Sequence, residues 1–299
     1  MVMNVENTPP ERPRFVRLDP EEMAANLGPL ARLPGTWVGD RGWNLIAVPE
    51  KGRADGFTLL LRPYYETITF TPLGVLVPDR GIAGTMAIFG LEYTLRVSDT
   101  LTHQPLHLEN GMWLYLNDPQ NPTPHNIVRH ATVPHGNSVL ALGNSEQSDG
   151  PPVIPPVDTL PIGRPAGRDA GYIDPYIGLL PPELQAIKPP FKTRDANSVL
   201  RDAIKNQTIL NTVRLDVSTQ TASGGIVNIP FIQQNANATS FDATFWLETV
   251  QHEDKETGGP YQYDQLQYSQ RTILDFVERG DGPGLIQWPH VNVNTLVRQ

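Results

Sequence analysis

Two motifs at opposite ends of the chain most constrain how it can fold. Residues 35–39 read Gly-Thr-Trp-Val-Gly near the start, and residues 288–298 form a strand-like stretch that ends at Arg298. In a closed antiparallel barrel the first and last strands pair, so residues far apart in sequence become neighbours. We therefore predict that the guanidinium of Arg298 stacks on the indole of Trp37 and caps one barrel end.

Many prolines and glycines favour strands, turns and loops over long helices. The 299 residues include 30 prolines and 25 glycines, and strand-like segments recur at short intervals between Gly, Pro and Asp turns. The predicted strands are 36–48, 57–62, 64–71, 88–97, 106–116, 126–134, 137–142, 209–219, 226–233, 243–250, 266–277 and 285–298. Pro63 falls between two of them and predicts a bend or bulge, because proline cannot donate to a ladder. We predict a mainly β single domain, residues 1–299, folded as a closed antiparallel barrel of about ten strands.

Some segments depart from the strand series. Residues 1–17 form a polar N-terminal extension, and residues 19–27 predict a short capped helix that plugs one barrel end. Residues 143–193 contain four Pro-Pro pairs, which predicts a Pro-rich loop insertion without regular structure. We keep two interpretations of this insertion. It is either a packed surface excursion or a cap over the cavity mouth. Another helix is predicted at 196–206.

The charge balance and the lack of cysteine exclude several classes of function. Lys and Arg total 23 against 32 Asp and Glu, which gives a net charge of −9. Nucleic acids and anionic membranes are bound through clustered Lys and Arg, so neither partner is expected. Without cysteine, disulfides, thiolate metal sites and a Cys nucleophile are excluded. The N-terminal residues lack a signal-peptide pattern and no stretch approaches the ~20 apolar residues of a spanning helix, so a cytoplasmic protein is expected.

His290 is the main candidate for chemistry, and its orientation is the open question. Period-2 alternation separates the two faces of the closing strand. One face carries Trp288, His290, Asn292 and Asn294, and the other carries Pro289, Val291 and Val293. Hydropathy alone turns the valines toward the core, which leaves His290 in solvent. If the imidazole instead points into the barrel, it is available as a ligand for a metal.

Other titratable groups have weaker functional signals. His107 and Glu109 lie two residues apart and share a strand face, which is interpreted as a structural hydrogen bond, with an acid–base pair or a pair beside a bound cofactor as the alternative. Histidines also recur every five residues at His125, His130 and His135, a spacing that matches no zinc motif and indicates solvated loops. The tyrosines expected to pack with a wet hydroxyl are Tyr64, Tyr65, Tyr261, Tyr263 and Tyr268.

Four patches occur in a characteristic order along the chain. They are residues 33–39 (LPGTWVG), 105–111 (PLHLENG), 135–139 (HGNSV) and 289–298 (PHVNVNTLVR). In this order they resemble the Leu-x-Gly-x-Trp-x-Gly opening, the His-x-Glu-[Thr/Asn]-Gly segment, the His-Pro-x-Gly strand start and the closing strand of the nitrobindin family. The chain is therefore similar to this calycin-like family of haem-binding β-barrels, as a long and divergent member.

The resemblance implies a cofactor and a set of residues around it. It implies a ten-stranded antiparallel barrel that binds haem b, with an axial imidazole on the closing strand that maps onto His290. We place Trp37 and His107 with His290 as cofactor-binding residues. Imidazole suits haem because its neutral nitrogen donates to iron and leaves a sixth position for a small ligand. Chemistry on nitric oxide, peroxynitrite or peroxide is implied, and whether the protein is an enzyme, such as a peroxynitrite isomerase or a peroxidase-like protein, is left open.

Two other functions fit the same predicted fold. A lipocalin-like or fatty-acid-binding-like carrier holds an apolar small molecule without catalysis, with the Pro-rich loop as a lid. An interaction scaffold has a barrel filled by its own side chains. The expected partner is a small-molecule ligand in the barrel cavity, and a homodimer is left open.

Overall fold

Within the described residues the chain forms twelve strands and five short α-helices. The structure, a computed structural model, describes residues 20–82, 84–116, 123–167, 171–253 and 259–299. The strands are β1 (Gly35–Pro49), β2 (Phe57–Pro72), β3 (Val77–Gly81), β4 (Gly84–Asp99), β5 (Pro105–Leu116), β6 (Ile127–Val133), β7 (Asn137–Asp149), β8 (Thr208–Ser218), β9 (Gly225–Asn228), β10 (Asn237–Glu253), β11 (Pro260–Glu278) and β12 (Leu285–Arg298). The helices are α1 (Pro20–Leu27), α2 (Asp174–Ile177), α3 (Pro182–Gln185), α4 (Ser198–Ile204) and α5 (Pro230–Asn235), and a 3-10 helix at Gly28–Leu30 follows α1.

Ten of the described strands close into an antiparallel barrel. Around the ring the order is β2-β1-β12-β11-β10-β8-β7-β6-β5-β4, and β4 pairs back with β2 to complete it. The two other strands lie outside the ring, since β3 pairs with β4 and β9 pairs with β7. The first and last strands are neighbours, with Trp37 of β1 paired to Arg298 of β12. The predicted closed barrel of about ten strands with few short helices is confirmed.

The first helix closes one end of the barrel. Leu27 at the end of α1, together with Leu30 and Leu33 just after it, is buried in the same apolar cluster as Trp37. The indole Nε1 of Trp37 donates to the backbone oxygen of Leu33 at 2.7 Å, which ties the start of β1 to this turn. We call this the closed end, and the predicted plug is confirmed. The predicted extension at 1–17 lies outside the described residues.

An interior core of buried apolar side chains fills the barrel from the closed end upward. Its aromatic rings pack against one another: Phe245 lies with its ring centroid 5.1 Å from that of Trp113 and also 5.1 Å from that of Tyr268. Each of these three side chains is at most 3% exposed. This part of the interior is therefore occupied by protein and packed as a core.

The Pro-rich insertion begins later than the sequence predicted. Residues 143–149, assigned to the irregular insertion 143–193, continue β7 and pair with β8 from Gly143 opposite Val217 to Asp149 opposite Asn211. This stretch is polar, so hydropathy did not identify it as a strand. Its pairing is made by backbone hydrogen bonds, which do not depend on side-chain hydropathy. Within the rest of the insertion, α2 and α3 form two short helical turns. A predicted strand at 226–233 is also shorter, because α5 begins at a proline, which suits the first turn of a helix.

The Pro-rich insertion packs against the outside of the barrel wall. Its buried side chains, among them Tyr176 and Phe191, belong to an outer cluster with Trp43 of β1 and with Val291 and Val293 of β12. The ring of Phe191 lies 5.5 Å from that of Trp43. Of the two readings of the insertion, the packed surface excursion agrees with this placement. The cap over the cavity mouth stays a prediction.

Pro63 does not divide its strand. β2 runs without a break from Phe57 to Pro72, and Pro63 pairs with Trp43. The neighbouring strand β4 ends at Asp99, opposite Tyr64. Beyond that point one side of β2 is a sheet edge. Pro63 lies at this edge, so its missing N–H costs no hydrogen bond to β4. The irregularity is instead a bulge in β1, where the register shifts between Gly39 and Gly42.

Candidate functional site

His290 faces the barrel interior. The next two residues on its side of β12 also face inward, because Asn292 bonds to Asn44 and Asn294 bonds to the buried Glu66. The intervening Val291 and Val293 pack outward into the outer cluster. The expectation from hydropathy, valines inward and His290 in solvent, is wrong because the Pro-rich insertion and α4 supply an apolar environment on the outside.

Hydrogen bonds with two asparagines orient the His290 ring. Its Nε2 lies 2.7 Å from Oδ1 of Asn44, and Nδ2 of Asn292 donates to the same oxygen at 2.7 Å. Because that oxygen accepts, the network assigns the imidazole hydrogen to Nε2 and the lone pair to Nδ1. Among the described residues Nδ1 has no hydrogen-bond partner. This nitrogen is therefore free to bind a ligand.

Burial keeps His290 uncharged. It lowers the pKa of the imidazole to about 3, and the nearby His107 and His135 lower it further in the same direction. The electrostatic influence of these two residues places their imidazoles in the neighbourhood of His290. His290 is neutral at physiological pH, which is the form that binds metal ions.

His107 and His135 form a second imidazole group across the barrel. Their rings stack with centroids 5.8 Å apart, and Nε2 of His107 lies 3.3 Å from Oε2 of Glu109. Burial and the proximity of His107 lower the pKa of His135. The contact predicted between His107 and Glu109 is therefore present, and it joins the imidazoles to a buried carboxylate.

The open end of the barrel is a polar cup that solvent reaches. We define the polar cup by Asn44, His107, His135, Gln270, His290 and Asn292. All but His135 are partly buried, in contrast to the fully buried interior core, and His135 is exposed at the rim. These residues therefore keep some surface in contact with solvent, whereas the interior core beneath them does not.

A buried ion pair crosses the barrel beneath the polar cup. Arg129 donates to Oε1 of Glu109 at 2.6 Å and to the Tyr93 hydroxyl at 3.2 Å, and on the opposite wall it reaches Oε1 of Gln270 at 3.3 Å. Its guanidinium also lies 5.2–5.6 Å from four aromatic ring centroids. Burial alone raises the pKa of Glu109, but the charge of Arg129 and the bonds from His107 and Tyr93 outweigh it and hold this pKa at about 2. The pair is ionised and fixes the side chains below the cup.

Glu66 forms a second buried carboxyl group inside the barrel. Its Oε2 accepts from the Tyr268 hydroxyl at 2.8 Å and from Nδ2 of Asn294 at 2.9 Å, and the Tyr64 hydroxyl lies 2.7 Å from that of Tyr268. Burial raises the pKa of Glu66 to about 7, although both hydrogen bonds oppose the rise. Unlike Glu109, it has no paired cation among the described residues, so it holds a proton up to about neutral pH.

Two glycines in the β1 bulge make room for this network. A Cβ on Gly39 would lie 2.5 Å from the Thr295 backbone oxygen, and one on Gly42 would lie 2.3 Å from the Tyr64 ring. Without side chains at these positions, residues of β2 reach across β1 to residues of β11 and β12. The second glycine of the Gly-Thr-Trp-Val-Gly motif therefore has a packing role at the interior network.

The structure separates one predicted cofactor-binding residue from the other two. Trp37 is fully buried at the closed end, with Arg298 over its ring, whereas His290 and His107 share the open end. His125 precedes β6 and His135 precedes β7, whereas His130 is exposed on β6 itself and not in a loop as predicted. Among the described residues, no group of three or more His, Asp or Glu side chains is arranged to hold a metal ion.

Sequence reasoning missed most of the polar interior. It treated Tyr64 and Tyr268 as packing residues with wet hydroxyls, but both are buried and bonded to each other. It did not single out Glu66 or Arg129. The available signal was alternation along β2, where Glu66 occupies the same face as Ile68 and Phe70, an ionisable residue on an otherwise apolar face.

Two other cavities lie away from the polar cup. One of about 480 Å³ is at the closed end, between the 3-10 helix and the lower parts of β7, β8 and β10. Another of about 340 Å³ lies beside β2 under the Pro-rich insertion. Neither is lined by His290, His107 or Glu66.

No helix in the described part of the chain has the length and apolar character needed to cross a membrane.

Comparison with known proteins finds similarity among solved structures. No protein-family model matches the chain, and no curated protein sequence does. Among solved structures, the crystal structure of Rv2717c from M. tuberculosis is similar with a TM-score of 0.42 and 16% sequence identity, over 93% of this chain and 97% of that chain.

Proposed function

We propose that the polar cup binds haem b and that His290 is the axial ligand of its iron. The observation that carries the proposal is a neutral, inward-facing imidazole with a free Nδ1 lone pair. Histidines that bind metals commonly donate their other ring N–H to an oxygen, which fixes the tautomer and the ring orientation. Asn44 supplies that oxygen to His290. The donor set therefore fits an imidazole-ligated iron.

The other side chains of the cup are suited to a small ligand near such an iron. Bound haem supplies a metal with a vacant position for a diatomic or peroxide-type ligand. His107 and His135 provide imidazole N–H groups on the wall across from His290, and Glu109 fixes the His107 ring through Nε2. We propose that these groups hydrogen-bond a small oxidant or gas, such as nitric oxide, peroxynitrite or peroxide. A peroxynitrite isomerase or peroxidase-like activity is part of this proposal.

Haem reconstitution tests the axial role of His290. The purified protein is titrated with haemin and its visible spectrum is recorded for wild type, His290→Ala and His252→Ala. His252 is an exposed histidine on β10 that packs edge-on against Tyr261, so its replacement is a matched control for loss of an imidazole. We expect a Soret band in wild type and His252→Ala, and a band lost or displaced in His290→Ala. An unchanged band in His290→Ala contradicts the proposal.

A carrier of an apolar small molecule is the alternative from a different class. The interior core already fills the closed end of the barrel, so the space for an apolar ligand is confined to the open end. Mass spectrometry of an extract of the purified protein separates the two functions. Haem in the extract supports the first, and a lipid without iron supports the carrier.

The cytoplasmic location stays a prediction, and size-exclusion chromatography tests the homodimer.

A further inference from the structure

Glu66 occupies a central position in the barrel interior. On β2 it pairs with Val97 of β4, and Val97 pairs with His107 of β5, so the carboxyl and the imidazole lie in one lateral row of inward-facing residues. The electrostatic influence of Glu109 and His107 reaches Glu66. Glu66 therefore lies in the same lateral row as His107, a residue of the polar cup, and only 1% of it is exposed.

The two oxygens of this carboxyl group differ in their surroundings. Oε2 accepts two hydrogen bonds, from Tyr268 and from Asn294. Oε1 is buried and has no hydrogen-bond partner among the described residues. Because the donors already occupy Oε2, a proton on the neutral acid lies on Oε1. The result is a buried O–H donor without an acceptor among the described residues.

An unpaired buried donor is costly, and native proteins satisfy nearly all such groups with protein, water or ligand. The groups that face Glu66 are Tyr64 and Tyr268 with their hydroxyls, Asn294 with its amide, and Glu109 and His107 by their charge. None of them accepts from Oε1. The described residues therefore supply no acceptor to Oε1, and a water molecule or a ligand can fill that place.

We propose that Oε1–H of Glu66 donates a hydrogen bond to a small acceptor molecule inside the barrel. That acceptor is water in the empty protein and an oxygen of the small ligand in the loaded protein. The second part rests on the proposed function. Tyr268 and Asn294 act as positioning residues, since their bonds to Oε2 decide which oxygen carries the proton. Glu66 is then a ligand-binding residue that no motif in the sequence indicated.

Infrared spectroscopy of the haem-free protein tests the donor without reference to haem. At pH 6 we expect the carbonyl stretch of a protonated carboxylic acid that shifts in heavy water and disappears in Glu66→Gln. Glu248→Gln is the matched control, since Glu248 is a second buried carboxyl with a raised pKa, on the outer wall, and should remove a different band. No loss of intensity in Glu66→Gln, or a band at the frequency of a non-bonded acid, overturns the proposal.

Carbon monoxide bound to the reduced, haem-loaded protein tests donation to a ligand. Glu66→Gln keeps an N–H donor at this position, whereas Glu66→Val removes it. We expect the C–O stretch of Glu66→Val to differ from wild type and that of Glu66→Gln to stay close to it, with circular dichroism confirming the fold of both. Equal stretches in wild type and Glu66→Val overturn ligand binding by Glu66. Absence of any Soret band overturns the haem proposal instead, and the haem-free infrared bands then decide the role of Glu66.

Discussion

The guanidinium carbon of Arg298 lies 4.8 Å from the centroid of the Trp37 ring, joining the last strand to the first. The guanidinium also pairs with Asp264 at 2.9 Å and donates to the backbone oxygen of Arg32. One side chain thereby connects β12 with β1, β11 and the turn after α1. The stacking predicted from the two end motifs is confirmed, and its position at the closed end gives it a structural role.

Replacing Arg298 is expected to weaken barrel closure. Arg298→Met removes the cation over Trp37 and should lower the free energy of unfolding by about 1–2 kcal/mol in urea. Arg271→Met is the control, because Arg271 forms an exposed ion pair with Asp242 and should cost less than about 1 kcal/mol. Equal losses in the two variants would contradict a special role for the Trp37 contact.

Side chains at the bulge glycines are expected to disrupt the interior network. Gly39→Ala and Gly42→Ala force Cβ atoms against the Thr295 backbone and the Tyr64 ring, and overpacking of this kind costs about 1–3 kcal/mol. Gly225→Ala is the control, since open space surrounds its Cβ position. Thermal unfolding measures all three. A melting temperature for Gly42→Ala as high as for Gly225→Ala would rule out the close packing described.

Breaking the buried ion pair is expected to be among the most damaging single changes. Arg129→Met leaves the Glu109 carboxylate buried without its cation, which typically costs about 3–5 kcal/mol. The double variant Glu109→Gln/Arg129→Met should lose less than the sum of the two single variants, because neither partner then remains unpaired. Urea unfolding of the four proteins forms the double-mutant cycle. Strict additivity would show that the two groups do not interact.

His290 is expected to remain neutral far into acid in the haem-free protein. Its folded pKa is about 3 against an ordinary 6.5, so the unfolded chain binds this proton first. The contribution of His290 to stability is complete above pH 6.5 and is lost as the pH falls from 6.5 to 3. NMR of the labelled imidazole follows the titration directly, with an unfolded peptide as reference. A midpoint near 6.5 in the folded protein contradicts the burial of His290.

Glu66 is expected to produce the opposite pH dependence. Its folded pKa of about 7 exceeds the ordinary 4.5, so the folded state binds the proton more tightly. Its contribution to stability is present below pH 4.5 and is lost as the pH rises to 7. At about 1.4 kcal/mol per pKa unit, the total loss in the free energy of unfolding is about 3 kcal/mol. Glu66→Gln should remove this decline from stability curves measured between pH 5 and 8. A decline as steep in the variant as in wild type would assign it to other groups, such as Glu248.

Much of the barrel followed from local sequence. Alternating apolar residues, frequent turn residues and the two end motifs predicted the strands, their closure and the plug at α1, because each depends on local backbone preference or on strand order. The polar end of β7 escaped prediction, since its pairing to β8 is carried by backbone bonds. The histidine on the closing strand was also found from sequence, but only as a candidate.

The sequence by itself determined a closed antiparallel barrel whose end strands meet at Trp37 and Arg298. Only the tertiary structure decided that His290 points inward, because a strand with an alternating pattern does not specify which of its faces is the interior. The Pro-rich insertion settled this by covering Val291 and Val293 from outside. For the same reason Glu66 could not be identified from the sequence. Its protonation depends on burial and on partners in strands more than 200 residues away in sequence.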